Sequence, residues 1–122
     1  MSELKTETAT ITTIVPGQPI CTMINTLTVK PGKQAELLAY LKKMTEEDVV
    51  ISPGFISANF HVSEDGTRVI NYAQWRSVED LKAMLARYPE HVQRCRELAE
   101  QIEIRTDLKV AYCAHAPAST QE

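Results

Sequence analysis

The tetrapeptide Glu64-Asp65-Gly66-Thr67, set between two strand-like runs, constrains this chain more than any other feature. Asp-Gly is a strong hairpin signal, so Phe55–Val62 and Arg68–Trp75 are expected to pair antiparallel. A hairpin alone is only marginally stable in water, and the flanking sequence shows what completes it. Before it, Leu37, Leu38, Leu41 and Met44 recur at intervals of three and four, marking a helix from Lys33 to about Val49 with one buried face. After it, Ser77 with Asp80 three residues on reads as a capped helix start, and Val78 to about Arg87 would bury Leu81, Met84 and Leu85. Tyr88-Pro89 breaks that helix and opens another, carrying Val92, Cys95, Leu98 and Ala99 and ending near Gln101. A first strand, about Ile20–Val29, and a last one, about Ile104–Ala114, complete the pattern.

The order is βαββαβ, an α+β ferredoxin-like unit of one antiparallel sheet with helices on one face. Residues 1–19, Thr-rich and closed by Pro16-Gly17-Gln18-Pro19, read as a flexible N-terminal arm, 20–115 as the folded domain, and 116–122 as a loose tail. In strand two Ile56, Ala58, Phe60 and Val62 share one face; in strand three Val69, Asn71, Ala73 and Trp75 share one, and Ile70, Tyr72 and Gln74 the other. With apolar residues on both sides, helices hide one face and a second copy is expected to hide the other, giving a dimeric α+β barrel.

Several function classes are excluded. A net charge of -3 with no dense Lys/Arg stripe argues against nucleic acid. No apolar run approaches the roughly 20 residues that span a bilayer, and the first residues lack the basic start and apolar core of a signal peptide. Cys21, Cys95 and Cys113 are odd in number and far apart, so free buried thiols in the cytoplasm are expected. His61, His91 and His115 show no metal-ligand spacing, and no metal is expected.

The polar residues inside the strands carry the functional signal. Asn71 and Trp75 lie four apart on one strand face, and Asn25 interrupts the apolar strand Cys21–Val29. Asparagine is depleted in strands and costs free energy when buried without partners. The first and third strands are central neighbours in this topology, so the two amides would stand roughly 5 Å apart laterally if register allows, with Trp75 about 13 Å further along. The three would line one cleft; the plainer reading is that the amides satisfy backbone groups and Trp75 is core.

Met23–Gly32, Ser52-Pro53-Gly54-Phe55 and Asn71–Asp80, in that order and spacing, resemble the antibiotic biosynthesis monooxygenase superfamily over roughly residues 20 to 114. The resemblance implies a ferredoxin-like homodimer with a pocket between each subunit's sheet and helices. Its motif is nearest to the cofactor-independent anthrone and anthraquinol oxygenases, which implies oxidation of an electron-rich aromatic to a quinone by O2 with no cofactor. Asn25, Asn71 and Trp75 match the residues implicated in catalysis there. Met23, Leu27, Leu41, Met84 and His91 are expected to contact substrate. Tyr40, Arg87, Tyr88 and Arg94 are helix residues of the type some members use, without a position-by-position match.

The superfamily also implies alternatives. Heme-degrading members share a first-strand asparagine, but where they carry a helix tryptophan and a heme-ligating histidine this chain has Met84 and Arg94, with His91 about one turn away. A small-molecule metabolic enzyme of the same fold, or a non-catalytic ligand-binding dimer, are the others.

Overall fold

The computed structural model describes residues 9–117; the expectations for the arm over 1–8 and the tail over 118–122 lie outside the described residues. The elements are β1 (Cys21–Val29), α1 (Gln34–Met44), a π-helical turn (Thr45–Val49), β2 (Phe55–Val62), β3 (Arg68–Trp75), α2 (Val78–Arg87), α3 (Pro89–Leu98) and β4 (Ala99–Leu108). The strands form one sheet in the order β2-β3-β1-β4, every neighbouring pair antiparallel. This is the ferredoxin-like α+β fold, with β1 and β3 central. Among the described residues no helix is long and apolar enough to cross a membrane.

Helices cover one sheet face. Leu27, Leu37, Leu41, Val69, Cys95 and Leu98 form one half of the core; Met23, Met44, Ala73, Trp75, Leu81 and Met84 form the other. Tyr40 packs against both halves. Leu38, expected on the buried stripe of α1, is only half-buried.

Three departures from the sequence reading have physical causes. First, α3 stops at Leu98 and β4 begins at Ala99, five residues before the expected start. The exposed edge of β1 needs partners, and it takes Ala99 opposite Val29 while Lys30 N–H donates to Leu98 C=O at 2.9 Å. Helical periodicity through Ala99 yields to strand pairing. Second, β4 ends at Leu108 rather than Ala114, because Leu108 already stands opposite Thr22 at the start of β1. Third, the first helix does not run unbroken to Val49; its last turn widens, with Val50 N–H reaching Thr45 C=O at 3.0 Å.

A β-bulge between Phe55 and Ser57 also re-aims strand two. Phe55, paired with Trp75, joins Ala58 and Phe60 on the helix side, and Ile56 is left 47% exposed. The opposite face is more polar than expected. Thr26, Asn59 and Gln74 stand among Ile24, Ile70 and Tyr72 there, and Ser57 Oγ donates to Gln74 Oε1 at 2.8 Å. Thr12 and Thr13, ahead of β1, lie against this outer face. Thr12 Oγ1 donates to Asn59 Oδ1 at 2.9 Å and Gln74 Nε2 to Thr13 C=O at 2.9 Å.

The β3–α2 junction is capped as the sequence indicates. Ser77 Oγ accepts from Asp80 N–H at 3.1 Å, and the Asp80 carboxylate takes two bonds from Arg76, at 2.8 and 2.9 Å. The Arg76 guanidinium, and then the Ser77 hydroxyl, hold the Asp80 carboxyl below its ordinary range. Gly54 packs against this cap with φ +85°, where a Cβ would collide with the Asp80 side chain. Gly54→Ala is expected to cost about 2–3 kcal/mol, combining left-handed backbone strain with a displaced cap. Urea unfolding checks this, and an unchanged midpoint would contradict it.

Candidate active site

The alternation of β1 and β3 sends every second side chain toward the helices, and register decides which of them meet. Asn25 stands directly opposite Asn71, Met23 opposite Ala73, and Cys21 opposite Trp75. Directly opposed residues have Cβ atoms about 4.5–5.5 Å apart, so the two amides are immediate neighbours. All eight residues named from the sequence line one cavity between sheet and helices: Asn25, Asn71, Trp75, Met23, Leu27, Leu41, Met84 and His91.

The two amides are used differently. Asn71 is 8% exposed, and its Oδ1 accepts the Asn59 backbone N–H at 3.0 Å. That bond fixes the amide and leaves its NH2 group without a hydrogen-bond partner among the described residues. Asn25 is unanchored, its amide making no hydrogen bond among the described residues. Its Oδ1 is buried and meets no hydrogen-bond partner there. An unsatisfied buried amide oxygen costs roughly 1–3 kcal/mol, which a purely structural side chain would not retain. A donor and an acceptor thus stand side by side on the cavity wall.

Trp75 is 2% exposed, with Phe55 edge-on to its ring at 5.4 Å between centroids and 73° between planes. Its indole N–H makes no hydrogen bond among the described residues. The widened turn after α1 adds Thr45 and Val49 to the wall, and the bulge adds Phe55.

The cavity has two parts. The inner chamber beside Trp75 has a volume of about 60 Å³, room for a few water-sized molecules only. A groove between α3 and β4 of about 530 Å³ adjoins it, and Asn25, Leu27, Leu85, His91 and Ile104 line both. Val92, Arg96 and Glu100 stand along the outer part.

His91 sits at that junction, half-buried on α3. Its Nδ1 lies 2.9 Å from the Tyr40 hydroxyl, and the two rings stack at 5.6 Å and 24°. Arg94 lies over the Tyr40 ring at 6.0 Å, held by Glu36 and Glu97, each at 3.0 Å. Burial pushes the Tyr40 hydroxyl up to about 12, and lowers the His91 imidazole below its ordinary value. The sequence reading placed His91 on the substrate wall and left Tyr40 unaligned. Their pairing is 51 residues apart in the chain and has no local signal. Phe55, Leu85 and Ile104 were also missed as lining residues, the first because a bulge cannot be read from alternation. His61 and His115 are exposed. All three cysteines are free; Cys21 and Cys95 are buried as expected, and Cys113 is half-buried.

Comparison with known proteins gives one family and several relatives. The sequence profile described as "Antibiotic biosynthesis monooxygenase" matches residues 20–100. Tetracenomycin-F1 monooxygenase from Streptomyces glaucescens is 40% identical over 107 residues, covering 86% of this chain and 96% of that protein. A monooxygenase from the gene ActVA-Orf6 of Streptomyces coelicolor, solved with the ligand nanaomycin D, is 26% identical with a TM-score of 0.61, covering 78% of this chain and 93% of that one. SnoaB, a cofactor-independent oxygenase from Streptomyces nogalater, shares the fold with a TM-score of 0.62 at 22% identity, over 75% of this chain and 96% of that one.

Proposed function

The chain belongs to the antibiotic biosynthesis monooxygenase family, and from that premise we propose that it oxidises an electron-rich aromatic, an anthrone, hydroquinone or phenol of polyketide type, to a quinone with O2 and no cofactor. The observation that carries the reading is the opposed pair Asn25 and Asn71, one with an unspent buried oxygen and one with an unspent NH2, on the wall of a cavity that Trp75 also lines.

Triplet O2 reacts slowly with closed-shell molecules, but an anthrone carbanion or phenolate transfers one electron to it readily. The site therefore has to bind a flat aromatic, stabilise its anion and exclude water. The groove between α3 and β4 is of a size for such a substrate, and the inner chamber is of a size for O2. In this reading Asn25 Oδ1 accepts from a substrate hydroxyl and the Asn71 NH2 donates to the oxyanion. Superoxide and the substrate radical combine to a peroxide, to which the Trp75 N–H donates. Cleavage of the O–O bond with loss of the geminal C–H proton leaves the carbonyl and water. Met23, Leu27, Leu41 and Met84 supply the apolar walls.

Oxygen uptake with anthrone or a naphthol bearing a free para C–H tests the proposal. Metal-chelated, flavin-free protein should consume one O2 per quinone formed. Tight binding of these compounds without uptake would favour the ligand-binding alternative.

The protein is further proposed to act as a homodimer, in the cytoplasm, where its thiols stay reduced. Supporting the dimer are Ile11, Ile14, Val15, Ile56 and Tyr112, all at least 44% exposed, on or beside the outer sheet face. Light scattering at micromolar concentration should return about twice 13.7 kDa. A stable monomer would retire the barrel.

A further inference from the structure

We propose that His91 is the base that takes the substrate's proton, with Tyr40 as the residue that positions its ring. The proposal rests on the oxygenase reading above and supplies what that reading lacks, a group able to generate the anion. Three observations carry it. His91 lines both the inner chamber and the outer groove, so a substrate spanning the two passes its ring. Its Nδ1 is held at 2.9 Å by the Tyr40 hydroxyl and its ring is stacked on the Tyr40 ring, which fixes the orientation and leaves Nε2 as the nitrogen available to a ligand. Tyr40 is itself fixed, packed between the two halves of the core with Arg94 lying over its ring.

A hydroxyl both donates and accepts, so the Tyr40 rotor follows the state of the imidazole. With Nδ1–H donating to Tyr40 Oη, Nε2 carries the lone pair. The substrate O–H or C–H bond breaks, its proton passes to Nε2, and its electron pair stays on the substrate as the anion that reduces O2. The imidazolium keeps the Nδ1–H to Oη bond in the same place, now charge-assisted, so no heavy atom moves. The proton returns from Nε2 to the peroxide oxygen; the neutral imidazole then takes the geminal C–H proton as the O–O bond breaks, and hands it to the departing hydroxide, which leaves as water. Protons balance over the cycle, and O2 is the only oxidant.

The surroundings favour a neutral imidazole at rest. Burial lowers its affinity for a proton, and Glu90 opposes this more weakly. Of the charged and titratable groups near the His91–Tyr40 pair, Glu90 acts on both, and Cys95, Arg94 and Asp48 act on Tyr40, while the uncharged Asn25, Asn71, Met84 and Leu85 share the cavity wall with His91. The Tyr40 hydroxyl, raised to about 12, remains protonated throughout the working range.

The experiment is the pH dependence of kcat/KM for O2 uptake by the wild-type protein with two naphthols of different acidity, each with a free para C–H. The proposal expects an acid limb, lying below the ordinary imidazole range, that is the same for both substrates, because it reports His91. A limb that tracks each substrate's own pKa would overturn it, the substrate then ionising unaided. His91→Gln keeps a polar partner for Tyr40 and should lose about 10²–10⁴ in kcat/KM at pH 7. That loss should shrink as pH approaches the substrate's pKa, whereas a packing defect would lower the rate equally at every pH. Tyr40→Phe, which removes the acceptor of the charged bond, should move the acid limb to lower pH; an unmoved limb would deny Tyr40 the positioning role. Should the wild type show no uptake with either substrate, the oxygenase reading fails and not merely the assignment of the base.

Discussion

Asn25→Ala is expected to lower oxygen-dependent turnover by about 10²–10³ while leaving stability unchanged or slightly raised. The asymmetry follows from bonding. Asn25 Oδ1 has no protein partner to lose, so truncation removes a desolvation cost rather than a stabilising bond. Asn71→Ala should show a similar loss of turnover with a different stability signature. Its Oδ1 holds the Asn59 N–H at 3.0 Å, and leaving that part-buried donor unpaired costs roughly 1 kcal/mol. The double variant should lose less than the product of the single effects, because both amides act on one developing charge. Melting temperature and turnover measured on the same three proteins decide the matter. If Asn25→Ala destabilises the fold and keeps full turnover, the amide is structural and the catalytic assignment goes.

Trp75 carries the second large effect. It is among the largest fully buried side chains, at the sheet end where Phe55 meets it edge-on. Trp75→Ala should cost about 3–5 kcal/mol, a large part of the 5–15 kcal/mol that holds a typical domain. Activity loss in that variant is therefore uninformative. Trp75→Phe keeps most of the ring and deletes only the N–H, so it isolates the hydrogen bond. If that N–H donates to the peroxide, Trp75→Phe should lose about 10² in kcat with a folded cavity. Wild-type kcat in Trp75→Phe would reduce the tryptophan to packing.

Much of the site was legible because strand alternation is strictly periodic. Once Asn25 and Asn71 are assigned to central antiparallel strands, their common face follows from counting. Whether they stand opposite one another does not, since register depends on the hairpin, the bulge and the packing of both ends together. The limit of local reading is clearest at Ala99. Its spacing from Val92 and Cys95 is helical, yet the unpaired edge of β1 draws it into a strand. Phe55 is similar: alternation sends it away from the pocket, and one extra residue in the strand returns it.

The sequence by itself determined the element order, the capped start of α2, the hairpin, and the central strands that bear the two amides and the tryptophan. These rest on periodicity, caps and turn chemistry, which act over a few residues. Only the tertiary structure decided that one amide is anchored and the other unspent, that the cavity divides into a small chamber and a wide groove, and that His91 meets Tyr40. Those are contacts between residues 12 to 51 positions apart, or none at all in the case of Asn25 Oδ1. Short-range preferences carry no information about them, because they are fixed only when the helices close over the sheet.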